Sequence, residues 1–194
     1  MDLKETIIRE SLKLFSLNGF IGTSMHDIIT AAGTSKGGFY NHFASKEDLF
    51  RKALVQARKM WRERNLYGLD NAKDPIEKIK RLLGNYRDRY LIDSSNFPGG
   101  CIFIIFSVEL GDQRPHLAKE VQKGFIGLKA MLNRLLDEAR KAGLLQNSVS
   151  TAAVTEILFN GMLGASINYS AAKSAENLHQ AIDALIDYLE NSKA

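Results

Sequence analysis

Apolar side chains recur at helical spacing through nearly all of the 194 residues, and only three prolines, Pro75, Pro98 and Pro115, interrupt the pattern. Proline cannot continue a helix interior, so so few breaks in so long a 3.6-residue periodicity predict an all-α fold. The first helix carries Ile8, Leu12 and Phe15 on one stripe, widened by Leu14, and stops at Asn18-Gly19. Three capped starts follow: Ser24 with Asp27 three residues on, Ser35 opening a segment to His42, and Ser45 with Asp48 three residues on. A longer helix runs from Ser45 to about Tyr67. A break over 68–74 then leads to Pro75 at the first position of the next helix.

Further along, D-S-S-N-F-P-G-G at 93–100 and G-D-Q-R-P at 111–115 read as loops, and a long helix then ends near Gly143. Two last helices carry Val154, Ile157, Leu158, Gly161, Met162 and Ala165, then Leu178, Ile182, Leu185, Ile186 and Leu189. No apolar run reaches the roughly 18 to 20 residues that span a bilayer, and the opening M-D-L-K-E lacks the basic-then-apolar order of a signal peptide; a cytoplasmic protein with no membrane partner is expected. The single cysteine, Cys101, excludes an intramolecular disulfide framework and a multi-cysteine metal site.

Charge decides less than its distribution. The net charge is +4, yet residues 1–50 hold five Lys/Arg against six Asp/Glu. The excess begins at Arg51 and runs through Lys52, Arg58, Lys59, Arg62 and Arg64, with Glu63 the one anion among them. That run either raises the potential near the first fifty residues or is a solvated helix face.

Residues 24–42 have the order of a helix-turn-helix: a helix from Ser24 to Ala31, the turn Ala32-Gly33-Thr34, and a second helix from Ser35 to His42. Gly33 takes a left-handed turn without a Cβ clash. Gly37 and Gly38 each cost the second helix roughly 1 kcal/mol relative to alanine, so a compensating reason is required, and close approach of the backbone to DNA is one.

The stretch T-S-M-H-D-I-I-T-A-A-G-T-S-K-G-G-F-Y-N-H-F-A-S-K-E-D-L-F, 23–50, closely resembles the signature of TetR-family repressors, and L-F-S-L-N-G-F-I-G, 14–22, fits the family's first helix and its exit. Thr34, Ile29 and Phe39 depart from the usual valine, alanine and leucine. The resemblance implies a three-helix helix-turn-helix head at 1–50 that binds DNA. A larger antiparallel helical domain at 51–194 then binds ligand and dimerises. It implies that Ser35, Lys36, Gly37 and Gly38 face the groove beside Thr34, that Tyr40 and His42 clamp phosphate with Asn41 beside them, and that Lys46 and Ser24 make further phosphate contacts. On their own chemistry Ser24 and Ser35 are equally helix caps, His42 a cap or core histidine, and Tyr40 a half-buried aromatic. Phe39 and Phe43 read as core.

A head of this size reads few base pairs, so a homodimer on a palindromic double-stranded operator is expected, joined through the last two helices, where Gly161, Gly164 and Ala165 permit close approach. The same stripes also read as intrachain core. A small apolar or aromatic inducer would find Tyr86, Tyr90, Phe106, Phe125, Phe159 and Met162 in the body, although core packing explains such residues as well. Cys101 follows Gly99-Gly100 in a segment resembling a G-C subgroup of TetR-like regulators, some of which respond to electrophiles or oxidants. It is either a sensing thiol or a packed small hydrophobe. No cofactor or metal is implied. A lone E-x-x-H at Glu176 to His179 lacks the second motif and the extra carboxylates of a di-iron bundle, and no nucleophile or phosphate-loop motif points to an enzyme.

Overall fold

The helix starts predicted at Ser24, Ser35, Ser45 and Pro75 are all present in the computed structural model, which describes residues 2–92 and 95–194. Its helices are α1 (Leu3–Asn18), α2 (Met25–Ala31), α3 (Lys36–Tyr40), α4 (Lys46–Asn65), α5 (Pro75–Asn85), α6 (Ile102–Leu110), α7 (Pro115–Lys141), α8 (Thr151–Ala172) and α9 (Ala175–Glu190). A 3-10 turn, Leu69–Asn71, lies in the break before α5, and a π-helical segment, Tyr86–Leu91, continues α5. Among the described residues the only extended pairing is an isolated bridge between Leu145 and Lys193, so the chain is all-α as expected. The loop expected at 93–100 is described from Ser95 onward; Asp93 and Ser94 lie outside the described residues.

The chain packs as two units. One comprises Met1–Met60 and Asp93–Val121, the other Trp61–Ile92 and Gln122–Ala194. In the first, α1 presents Ile7, Ser11, Leu12 and Phe15 to the interior, and Ile8 of the expected stripe is half-buried. Leu12 and Phe15 of that stripe are buried as expected, with Ile7 in place of Ile8. Ile28 of α2, Phe39 of α3, and Leu49, Phe50, Ala53 and Leu54 of α4 close the same core. At its centre four phenylalanines meet: Phe50 lies 5.1 Å from Phe20 and 4.8 Å from Phe106, and Phe15 lies 5.9 Å from Phe106. Each buried aromatic contributes about 1.5–3 kcal/mol by area alone, so this cluster is a major stabiliser of the unit.

Phe106 belongs to α6, and packing thus groups Ser95–Val121 with the first helices, which no local sequence pattern indicated. Gly99 shows how close the approach is: a Cβ there would overlap the Ser16 carbonyl of α1, and the Gly99 amide donates to Ser16 Oγ at 3.2 Å.

In the second unit, Asp74 caps α5 by accepting from the Glu77 amide at 2.9 Å, with Pro75 at the first helical position, as the sequence indicates. Helices α8 and α9 form a hairpin around Lys173 and Ser174, with Val154, Leu158 and Met162 of the one and Leu178, Ile182 and Leu189 of the other buried. A Cβ at Gly161 would lie 2.5 Å from Leu185 Cδ2, so that glycine serves the α8–α9 packing within one chain, and Ala165 is buried there too. Gly164 has nothing within 4 Å. The Arg87 guanidinium bridges to α9 at Asp183, 2.5 Å away, and Lys80 pairs with Glu190 at 2.5 Å, fastening α5 and its π-helical extension to the last helix.

Candidate nucleic-acid interface

Local capping orients the helix-turn-helix. Ser24 Oγ accepts from the Asp27 amide at 3.1 Å while the Asp27 carboxylate accepts from the Ser24 amide at 2.8 Å, a complete capping box at the start of α2. The Ser24 hydrogen bonds hold the Asp27 carboxyl below its ordinary value. Ser35 Oγ accepts from the Gly38 amide at 3.0 Å and starts α3. Ser45 Oγ accepts from the Asp48 amide at 3.1 Å, but the Asp48 carboxylate reaches back to the Ala44 amide at 3.0 Å, one residue earlier than in a capping box. The serine caps leave their hydroxyls with spare capacity, since a hydroxyl that accepts one bond still has a proton to donate.

Between α2 and α3, Gly33 turns the chain with φ +61°, the left-handed conformation expected there. Behind α3, Phe39 and Phe43 are buried with rings 5.3 Å apart, as expected of core residues. On the opposite side Ser35, Lys36, Gly37, Tyr40 and Asn41 are exposed, Ser24 is exposed at the head of α2, and Thr34, Gly38 and His42 are half-buried. Tyr40 is 48% exposed, with its ring edge-on to Phe39 at 5.3 Å. Nine of the ten residues selected from the sequence thus border α3 or cap α2, and the tenth, Lys46, opens α4.

The two glycines of α3 differ. A Cβ at Gly38 would clash with Thr34 Oγ1, so the chain itself supplies a reason for glycine at that position. A Cβ at Gly37 would meet only Ser35 Oγ, at the ordinary contact distance of 3.8 Å. Among the described residues nothing inside the chain explains Gly37.

Lys46 is turned inward. Its ammonium lies 4.4 Å from the centre of the Phe20 ring, and burial pushes it below its ordinary value, with Glu109 opposing and Arg114 adding to the shift. At least four of the six cations of the basic run on α4 are engaged within the chain: Lys52 pairs with Asp48 at 2.8 Å, Arg51 with Glu47 at 3.7 Å, Arg58 donates to the Glu120 carbonyl, and Arg64 to the Arg89 carbonyl at 3.2 Å. Those contacts favour a solvated, internally paired helix face over a phosphate-binding stripe.

The body residues selected from the sequence fall into separate clusters. Tyr86 and Tyr90 stack in the π-helical segment with centroids 5.7 Å apart, both buried. Phe125 and Phe159 meet edge to face at 6.0 Å, and Met162 is fully buried on α8. Phe106 lies in the phenylalanine cluster of the first unit, and Cys101, 4% exposed, forms the N-terminal cap position of α6. On the second unit an open groove of about 350 Å³ is lined by Ile126, Lys129, Ala130, Asn133, Ala152, Thr155 and Glu156, a set that shares no member with the sequence selection. His179 of the E-x-x-H donates from Nδ1 to the Ala175 carbonyl at 2.6 Å, an ordinary bond back along α9. Among the described residues no helix is long and apolar enough to cross a membrane, and no group of three or more His, Cys, Asp or Glu is arranged to hold a metal ion.

Comparison with known proteins agrees with this geometry across the whole chain. Residues 7–53 match the family described as bacterial regulatory proteins, tetR family, and residues 75–185 match the tetracyclin repressor-like C-terminal domain. The HTH-type transcriptional repressor NemR of Escherichia coli is 25% identical over 190 residues, covering 93% of this chain and 90% of that protein. The repressor DhaR of a Mycobacterium species is 22% identical, covering 96% and 92%. A TetR transcriptional regulator from Chloroflexus aurantiacus superposes with a TM-score of 0.90 at 27% identity, covering 98% of this chain and 96% of that one. A cysteine mutant of the TetR regulator CifR shares the fold, with a TM-score of 0.83 at 19% identity over 96% of both chains. With both its helix-turn-helix and its larger helical domain matched, the chain belongs to the TetR family of bacterial regulatory proteins.

Proposed function

We propose that this chain is a cytoplasmic transcriptional repressor that binds a palindromic operator as a homodimer and is released by a small apolar or aromatic inducer, electrophiles included. Residues 1–50 read the DNA, and residues 51–194 take the inducer and pair the protomers. Ser24, Thr34, Ser35, Lys36, Gly37, Gly38, Tyr40, Asn41 and His42 form the DNA-facing surface. Lys46 joins them once its ammonium leaves the Phe20 ring for a phosphate.

The observation that carries this reading is Gly37. It is exposed, it lowers the stability of α3, and among the described residues no neighbour excludes a side chain there. A surface that comes within van der Waals distance of the backbone supplies the missing reason, and a duplex groove with phosphates on either side is such a surface. The solved complex of the CifR mutant with 26-bp double-strand operator DNA lends support from a protein of the same fold. For pairing, the exposed Ile157 and Ile167 of α8, the open Gly164 and the partly exposed Tyr188 of α9 offer an apolar face. For the inducer, the stacked Tyr86 and Tyr90 stand in a π-helical turn, a distortion found frequently at functional sites. Cys101 is buried, so an electrophile reaches its thiol only after the start of α6 opens.

Gly37→Ala tests the reading because its two effects have opposite signs. Stability is expected to rise by about 0.5–1 kcal/mol, from the better helix propensity of alanine. Affinity for operator DNA is expected to fall by about tenfold or more, equivalent to about 1.4 kcal/mol. Unchanged affinity in the stabilised variant overturns the assignment of α3 as the recognition helix.

A further inference from the structure

Between α1 and α2 the chain turns sharply over residues 19–24, and this turn sets the direction from which the capped start of α2 leaves α1. Thr23 Oγ1 donates to the Gly19 carbonyl at 2.6 Å, and a Cβ at Gly22 would clash with the Asn18 carbonyl, so the turn is tightly wound. The Gly19 amide still donates to the Phe15 carbonyl at 3.0 Å, but the next two amides, of Phe20 and Ile21, donate to a side chain. Both are taken by one side chain 88 and 89 residues away: the Phe20 amide donates to Glu109 Oε2 and the Ile21 amide to Glu109 Oε1, each at 2.7 Å. Those are short, charge-assisted bonds, stronger than neutral ones. The fit extends to Gly19, which has φ +74° and whose added Cβ would collide with the same carboxylate. No motif in the sequence marks Glu109, and none of the residues discussed for DNA contact includes it.

We propose that Glu109 is a positioning residue for DNA binding: a two-oxygen anchor on α6 that fixes the α1–α2 turn and through it the pose of Ser24, α2 and α3. The proposal rests on the reading of α3 as the recognition helix. Besides this carboxylate, Gly99 presses on α1 at Ser16 and Phe106 packs against both Phe15 and Phe50, so α6 and the loop before it hold α1 and its exit at three points. Phe20, whose amide Glu109 holds, carries the Lys46 ammonium on its ring, and Glu109 contributes favourably to that ammonium's charge. One anion therefore organises the turn, the aromatic beneath it and the cation at the start of α4. Removing the charge while keeping the shape leaves the two amides facing a carboxamide with a single acceptor oxygen and a competing donor.

The test uses the full-length protein, wild type and Glu109→Gln, with Glu109→Asp as the variant that keeps the charge and shortens the reach by one methylene. Amide hydrogen exchange at Phe20 and Ile21 is measured without DNA, and affinity for a selected operator is measured across a salt series. In Glu109→Gln, exchange at those two amides is expected to quicken by about tenfold or more, the loss of one charged hydrogen bond. Operator affinity is expected to fall by a similar factor with the slope of log affinity against log salt unchanged, because no phosphate contact is removed. Glu109→Asp is expected to fall between the two. Unaltered exchange at Phe20 and Ile21 overturns the anchor even when the wild type binds no DNA, an outcome that would instead overturn the proposed function. Quickened exchange with unaltered operator affinity overturns the positioning role, and so does a changed salt slope, which would mark Glu109 as acting on the DNA's charge directly.

Discussion

Ser24 and Asp27 each satisfy the other's backbone amide, and Asp48 holds both the Ala44 amide and the Lys52 ammonium, so two carboxylates at helix starts accept bonds that are stronger when they are ionised. Both lie below their ordinary value of 3.8, Asp27 through its Ser24 bonds and Asp48 chiefly through Lys52. A carboxyl depressed in the folded state contributes stability that is fully present above its ordinary value and is lost as pH falls through its folded value. The melting temperature of the wild type is therefore expected to fall as pH drops below about 4. Asp48→Asn is expected to start lower at neutral pH and to fall less in acid. An identical acid slope in the variant removes Asp48 from the account. Much at this scale was legible in sequence, because a cap and its helix are neighbours: Ser24, Ser35, Pro75 and the left-handed Gly33 all stand where local spacing puts them. Lys46 and Glu109 were not, since what fixes each is a side chain or turn remote in the chain, the Phe20 ring for one and the 20–21 amides for the other.

At the scale of elements, α6 is the least legible. Its sequence, apolar around most of its circumference with Ser107 and Glu109 the polar exceptions, has no periodic face from which to infer what it packs against. Phe106 therefore reads equally as a pocket wall and as core, and its rings of contact with Phe15 and Phe50 identify it as a core residue of the first unit. Phe106→Ala is expected to cost about 3–5 kcal/mol, the range for a fully buried aromatic, measured by denaturant unfolding with the loss concentrated in helices of that unit. A loss below about 1 kcal/mol would mean that α6 is not part of the core. The π-helical segment after α5 was likewise invisible, because Y-R-D-R-Y-L continues the helical pattern of α5 without a glycine or proline to announce a change of winding. In α8 the small residues were legible as a close-approach stripe but not by destination: Gly161 faces Leu185 of the same chain, while Gly164 stays open. Gly164→Leu is accordingly expected to leave the monomer's helicity intact and weaken self-association in sedimentation experiments. Undiminished association in that variant would move the dimer face elsewhere.

For the whole molecule, the family and the fold class followed from the first fifty residues and the continuous helical period, whereas the grouping of α6 with the head did not, because it depends on pairings some ninety residues apart. The proposed activity needs two copies of the head, spaced about 34 to 36 Å along the duplex, acting together on one site. The first fifty residues carry one more anion than cations, so the proposed DNA binding draws on local groups of α3 and its flanks more than on the net charge of the head. The most direct test is a selection of genomic fragments by the purified wild-type protein and by Tyr40→Ala, which removes an exposed aromatic hydroxyl from the outer face of α3, each across a salt series. The wild type is expected to enrich a palindromic sequence bound by two protomers, with log affinity falling linearly against log salt, and Tyr40→Ala to lose the enrichment. Equal enrichment of the same sequence by both proteins, or none by the wild type at any salt, would contradict the proposed activity.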